Sequence, residues 1–249
     1  MSESGNLRLT LRSRYLTKDA NGRNVWQTRI VRKTIPAAQT ALLLCDVWDH
    51  HWSRGAQERL EAMIPRMNRV ASRLRERGVQ IIHAPSDTMD FYRETPAFRR
   101  LAAIPPVESP APADHPDPPL PINDSDGGSD TGEPTWHHAW SRQHPGIEVD
   151  DQRDGISDDG RTIYRFLRHR GMTQLLMMGV HTNMCVLHRS FGIKQMIRWG
   201  VETALIRDLT DTMYNPAMPP YVAHEEGTRL VVEFIEKFWC PTILSSDLL

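Results

Sequence analysis

From residue 40 onward, short unbroken apolar runs alternate with stretches of helical periodicity, and no other feature restricts the chain as much. The runs fall at 41–45, 79–84, 147–149, 174–178, 201–206 and 242–244. An apolar run without polar alternation suits a strand buried on both faces, which requires a parallel sheet covered by helices on both sides. Between the runs, Leu60, Ile64, Met67, Val70, Ala71 and Leu74 recur three or four residues apart, and Gly78 ends that pattern. Pro65 disfavours a helix interior, so this helix is expected to begin near it. Ser157-Asp158-Asp159 opens a second helix through Ile163, Phe166 and Leu167 to Gly171. Further helical patterns cover 184–199, closed by Gly200, and 221–238. The expectation is an α/β domain with a doubly wound, six-stranded, mostly parallel sheet in three αβα layers.

Two segments depart from this rhythm. Residues 7–16 and 25–35 alternate polar with apolar side chains around Asp19-Ala20-Asn21-Gly22, which predicts an N-terminal β-hairpin extension over 1–36. The domain proper then spans 37–249, interrupted at 104–135 by a stretch rich in Pro, Asp, Ser and Gly. That composition has little to bury, so a mobile surface loop is expected there.

Lys and Arg number 30 against 31 Asp and Glu, a net charge of -1. A nucleic-acid or membrane-surface partner calls for a basic excess that is missing. No run is long enough for a bilayer span or a signal-peptide core, so a cytoplasmic location is expected. Three cysteines without a CxxC pair form neither a disulfide framework nor a thiolate metal site. Cys45, inside an apolar run, and Cys240, after two aromatics, read as core thiols.

Cys185 stands differently. In doubly wound sheets, ligands bind beyond the C-terminal strand edges where strand order reverses. Asp46 ends the first run in LLLCDVWDHHW, and Cys185 follows the fourth in LLMMGVHTNMCVLHRS, at a helix start. With strand order 3-2-1-4-5-6 both face one crevice. A helix N-terminus is expected to lower the thiol pKa, a carboxylate can take its proton, and the turn offers N–H donors to an oxyanion.

GVHTNMCV resembles the G-[VLA]-x-T-[DN]-x-C-V motif of the isochorismatase-like cysteine hydrolases, and LLLCDVWDHHW resembles their first-strand motif ending in Asp. The resemblance spans about residues 40–244. It implies Cys185 as nucleophile, Asp46 as acid and base, a cis peptide between Val180 and His181, and an oxyanion hole from the N–H groups of His181 and Cys185. It also implies hydrolysis of a C–N bond in a small amide or carbamoyl compound through a thioester. Alternatives are vinyl-ether hydrolysis of the isochorismatase type, or a binding relative that has lost turnover.

One departure is conspicuous. The family's catalytic Lys, near the end of the third strand, falls at about Asp150, and no lysine occurs between Lys33 and Lys194. A carboxylate there would compete with Asp46 to ionise. Arg153, Arg142, His144, His181, His50 and His51 are candidates for the compensating cation. The family's nicotinamidase metal motif is also broken, with Met89 in the place of a His in HAPSDTMDF. Asp49, His51 and His83 could in principle hold an ion, but no cofactor is expected. Trp48, His51 and Arg189 are candidate substrate contacts. Trp52, Phe91, Tyr92, Trp136, His137, His138 and Trp140 could wall a pocket, and Asp208, Asp211, Tyr214 and Asn215 could line its rim. The expected partners are a small-molecule substrate and further copies of the chain, as a homo-oligomer.

Overall fold

The apolar runs become neighbouring strands in the computed structural model of the chain, which describes residues 5–133 and 136–249. Residues 1–4 of the hairpin segment and 134–135 of the insert lie outside the described residues. The elements run β1 (Asn6–Lys18), β2 (Asn24–Pro36), β3 (Thr40–Cys45), α1 (Arg54–Glu76), β4 (Gln80–Ala84), α2 (Met89–Tyr92), α3 (Pro96–Ala102) and β5 (Gly155–Ile156). They continue as α4 (Gly160–His169), β6 (Gln174–Val180), α5 (Cys185–His188), α6 (Ile193–Arg198), β7 (Glu202–Asp211), α7 (His224–Phe238) and β8 (Thr242–Ile243).

The sheet order is β2-β1-β8-β7-β6-β3-β4-β5. From β8 to β5 every pairing is parallel, so these six strands have the doubly wound order anticipated from sequence. The reversal falls between β3 and β6. Along β3, Ala41, Leu43 and Cys45 face a core shared with α4, α5, α6 and α7, while Leu42 and Leu44 face the core under α1. Both faces are covered, which is why the run contains no polar position.

Four details correct the sequence-based picture. The sheet has eight strands rather than six, because β1 pairs antiparallel with β8 through Arg12 and Thr242. The hairpin therefore shares the domain core, with Leu7, Leu9 and Ile35 buried under α1. The third parallel strand is Gly155–Ile156, not 147–149; Ile147 packs against the α1 side, and the Glu148 N–H donates to Asn68. Helix α1 starts at Arg54, capped by Ser53, and runs through Pro65. Burial of Leu60, Ile64 and Met67 on one face outweighs the hydrogen bond that proline cannot make. The expected 184–199 helix is broken into α5 and α6, with Arg189 extended at the break (φ -57°, ψ 158°).

The insert is the largest correction. Its first part, 105–114, is mostly exposed, but the rest is fastened to the body. Asp117 accepts from Lys194 at 2.6 Å, and His115 stacks on Trp239. Asp124 accepts from Asn183 at 2.7 Å, Ile122 is buried, and Ser129 bonds Ser53. Gly128 (φ +75°) lies so close to Met213 that a Cβ would sit 2.5 Å from its backbone. Low apolar content was a poor guide, because polar side chains hold this strap instead of buried surface.

The strap also joins a buried charge cluster. Arg59 donates to Asp130 and Asp211 at 2.8 Å each, and His224 reaches Tyr214 O at 2.9 Å and Asp211 Oδ1 at 3.0 Å. Both His224 partners are acceptors, so both ring nitrogens donate and the ring is an imidazolium. Burial pulls His224 down, but the Asp211 hydrogen bond and charge outweigh it and hold the ring above its ordinary value. Burial pulls Asp211 up, and His224 and Arg59 outweigh that, holding it below its ordinary value. The His224 contribution to stability is thus full below about pH 6.5 and fades as pH rises through its folded value; that of Asp211 needs pH above about 4. His224→Gln is expected to lower Tm by about 5 °C at pH 6 and by less than half that at pH 9, on the scale of one charged hydrogen bond. Thermal melts at the two pH values check this, and equal losses would deny the imidazolium its role.

Candidate active site

The register of β3 against β6 sets Cys45 opposite Gly179. A side chain at 179 would put its Cβ 2.0 Å from the Cys45 carbonyl, and Gly179 has φ +124°. Only glycine allows this approach, which brings Asp46 beside the Val180–His181 turn. The Val180–His181 peptide is cis.

Asp46 is fully buried and bonded on several sides. Its Oδ1 accepts the Ser86 N–H at 2.8 Å, and its Oδ2 accepts Arg189 Nε at 3.0 Å. Cys185 lies beside the same carboxylate, close enough to favour its ionised form. Arg189 also reaches Asp87 at 3.2 Å. Arg189 stands one turn after Cys185, at the break between α5 and α6.

Burial pushes the Asp46 carboxyl above its ordinary value, and Arg189, Cys185 and Ser86 offset it only in part. Cys185, half-buried, is also pushed well up, first by burial and then by the Asp46 charge. This reverses the expectation of a lowered thiol pKa. Helix α5 has only four residues, so its dipole is slight beside a neighbouring carboxylate. With its pKa raised, Cys185 rests as a thiol beside Asp46, and the Arg189 guanidinium pairs with that carboxyl.

Aromatic rings wall this cluster. Trp48 stacks on Trp140 with centroids 4.0 Å apart and is fixed by its indole N–H to the Ser86 carbonyl. Trp52, Met213 and Cys185 pack with them. His51 meets the His181 ring edge-on at 4.7 Å and accepts the Ser53 N–H. Burial pushes His51 down to about 4 and His181 well below its ordinary value, so both rings are neutral. Neither is the missing cation.

Other sequence candidates lie elsewhere. Asp150 does not enter the cluster: it binds Arg153 at 2.6 Å and the Gln152 N–H within its own loop. The strand shift to 155–156 removes the alignment that placed it there. Arg142 lies over Phe91, His144 pairs with Glu61, and Tyr92 takes the Gln143 N–H. Asp49 binds Ser141 and Arg142, and His83 lies between Gln143 and Asp154. Asp154 carries the Arg75 ion pair at 2.6 Å. No group of three metal-binding side chains occurs among the described residues. Asp208 binds Ser245, Tyr214 is core, and Asn215 bonds Asp126. Sequence reasoning missed the pairing of Arg189 with Asp46, and the Ser86 and Asp87 contacts. The available signal was an arginine four residues after the cysteine.

Comparison with known structures places the fold. A cysteine hydrolase from Pseudomonas syringae pv. phaseolicola 1448A matches with TM-score 0.53 and 13% identity over 86% of this chain and 92% of that one. An isochorismatase from Pseudomonas putida KT2440 matches with TM-score 0.53 and 11% identity over 86% of this chain and 91% of that one. The chain therefore has the isochorismatase-like α/β fold. No protein-family profile matches the sequence, and no curated protein matches it. Among the described residues, no helix is long and apolar enough to cross a membrane.

Proposed function

We propose that the protein is a cysteine hydrolase that cleaves a C–N bond of a small amide or carbamoyl compound, with Cys185 as nucleophile. The observation that carries this reading is the fully buried Asp46 carboxyl, paired with Arg189 at 3.0 Å and standing beside Cys185. The fold and the GVHTNMCV motif support it independently. Asp46 takes the thiol proton as sulfur attacks the carbonyl carbon, so a free thiolate need not accumulate. The N–H groups of His181 and Cys185 hold the oxyanion. As the tetrahedral adduct collapses, Asp46 returns the proton to the leaving nitrogen, giving amine and thioester. Asp46 then deprotonates water, which releases the acid and restores the thiol. Arg189 takes the place of the family lysine by keeping Asp46 ionised from the helix side, which favours a working site over a binding relative.

The test is Cys185→Ala against wild type on a panel of primary amides and N-carbamoyl compounds, with mass spectrometry of acid-quenched enzyme. Wild type is expected to carry an acyl adduct on the Cys185 peptide, and the variant to lose adduct and turnover with its Tm unchanged. Equal turnover in both proteins would remove Cys185 from the mechanism.

A further inference from the structure

The turn between β6 and α5 carries both N–H groups that the proposed reaction uses to hold its oxyanion, at His181 and Cys185. Its shape depends on where its polar groups find partners. Within the turn, the His181 carbonyl accepts the N–H groups of Met184 at 3.0 Å and Val186 at 3.1 Å. The end of β7 ties down Thr182, whose N–H donates to the Asp211 carbonyl at 2.8 Å and whose hydroxyl lies 2.7 Å from that of Thr210. Asn183, only 1% exposed, makes the next tie. Its Oδ1 accepts the Met213 N–H at 3.0 Å and its Nδ2 donates to the Met213 carbonyl at 3.0 Å, as a neighbouring strand would. One hydrogen of this buried amide is left over, and it goes to Asp124 Oδ2 of the strap at 2.7 Å.

We infer that Asp124 is a positioning residue for the reaction: acting through Asn183, it fixes the backbone that presents the two oxyanion donors. This rests on the reading of Cys185 as nucleophile. The strap has other anchors at this point. The Asn123 N–H donates to the Pro219 carbonyl at 2.9 Å, Asp126 accepts from Asn215 Nδ2 at 2.9 Å, and Gly128 is seated on the Met213 backbone. What the Asp124 carboxylate itself holds is Asn183. With alanine at 124, a buried amide hydrogen loses its acceptor, which costs more than the bond gained on folding. The amide then turns away from Met213 to find another partner, and the backbone of 183–185 moves with it. A misplacement of about 1 Å in a reacting constellation costs about a hundredfold in rate. Asparagine at 124 still offers an acceptor oxygen, so the turn keeps its tie.

The experiment compares two reactions of Cys185 in the full chain, each followed by mass spectrometry of the Cys185 peptide. p-Nitrophenyl acetate acylates the sulfur through a tetrahedral oxyanion, with p-nitrophenol leaving. Iodoacetamide alkylates it by displacement of iodide, with no oxyanion, and so reports only thiolate and access. Asp124→Ala is expected to slow acylation about ten- to a hundredfold while alkylation stays within about twofold of wild type. Asp124→Asn is expected to stay near wild type in both. Asp117→Ala frees the strap from Lys194 without touching the turn, and is expected to lower Tm and leave the ratio of the two rates unchanged. An unchanged ratio in Asp124→Ala, or an equal fall of the ratio in Asp117→Ala, overturns the inference. A wild-type ratio no greater than that of a small free thiol would instead overturn the reading of Cys185 as nucleophile, and the inference with it.

Discussion

Arg189→Met is expected to cost the protein both its reactivity and a large part of its stability. Asp46 is fully buried, and among the described residues Arg189 is the only cation paired with it; the Ser86 N–H supplies a hydrogen bond without charge. Removing one partner of a buried pair leaves an uncompensated charge, at about 3–5 kcal/mol. The Arg189 side chain is 31% exposed, so water screens part of that interaction and the low end applies. About 3 kcal/mol lowers the Tm of a domain this size by roughly 6–12 °C. The carboxyl, already raised by burial, rises further and takes up a proton nearer neutrality. Because only ionised Asp46 can accept the thiol proton, the acid limb of kcat/KM moves to higher pH, and activity at pH 7 falls by about two to three orders of magnitude. Asp46→Asn added to Arg189→Met is expected to recover much of the lost stability and none of the activity. Arg189→Lys keeps the charge but not the fork shared between Asp46 and Asp87, and should fall between. Calorimetry and pH profiles of the four proteins decide this. A wild-type Tm and acid limb in Arg189→Met would mean that the pair serves neither purpose.

Excising the insert should be nearly as damaging. Replacing 105–132 with a short Gly-Ser bridge removes the acceptors of Lys194, Asn183 and Arg59. It also strips Ile122 from the core and Gly128 from its seat on Met213. Three or four charged hydrogen bonds and one buried isoleucine lost together, at about 1–3 kcal/mol each before the entropy regained by a shorter chain, predict a Tm more than 10 °C lower. Met213 packs beside Cys185, so acyl-adduct formation should fall as well. A truncated protein melting within about 3 °C of wild type would show that the strap is mere decoration, as its composition first suggested.

That the strands are parallel and covered on both sides was legible in the sequence, because a run such as Ala41–Cys45 can be buried on both faces in few other ways; their order was assumed as the common doubly wound one, which the sheet has. The meeting of Asp46 with Cys185 followed from the same order, since parallel strands carry their C-terminal ends to one edge. The hairpin was legible from its alternation and from Asn21-Gly22, whose left-handed glycine (φ +76°) the turn requires. Its attachment to β8 was not, because a single registered pair leaves no mark in either segment. The strap was misread for a related reason: hydrogen bonds from Asp117, Asp124 and Asp130 depend on where Lys194, Asn183 and Arg59 stand in space, and composition records only how little there is to bury. The missing cation was the hardest part to foresee. The sequence showed that no lysine could serve, but a guanidinium can reach a carboxylate from any neighbouring element. Only the tertiary structure, which sets Arg189 Nε 3.0 Å from Asp46 Oδ2, decided which one did.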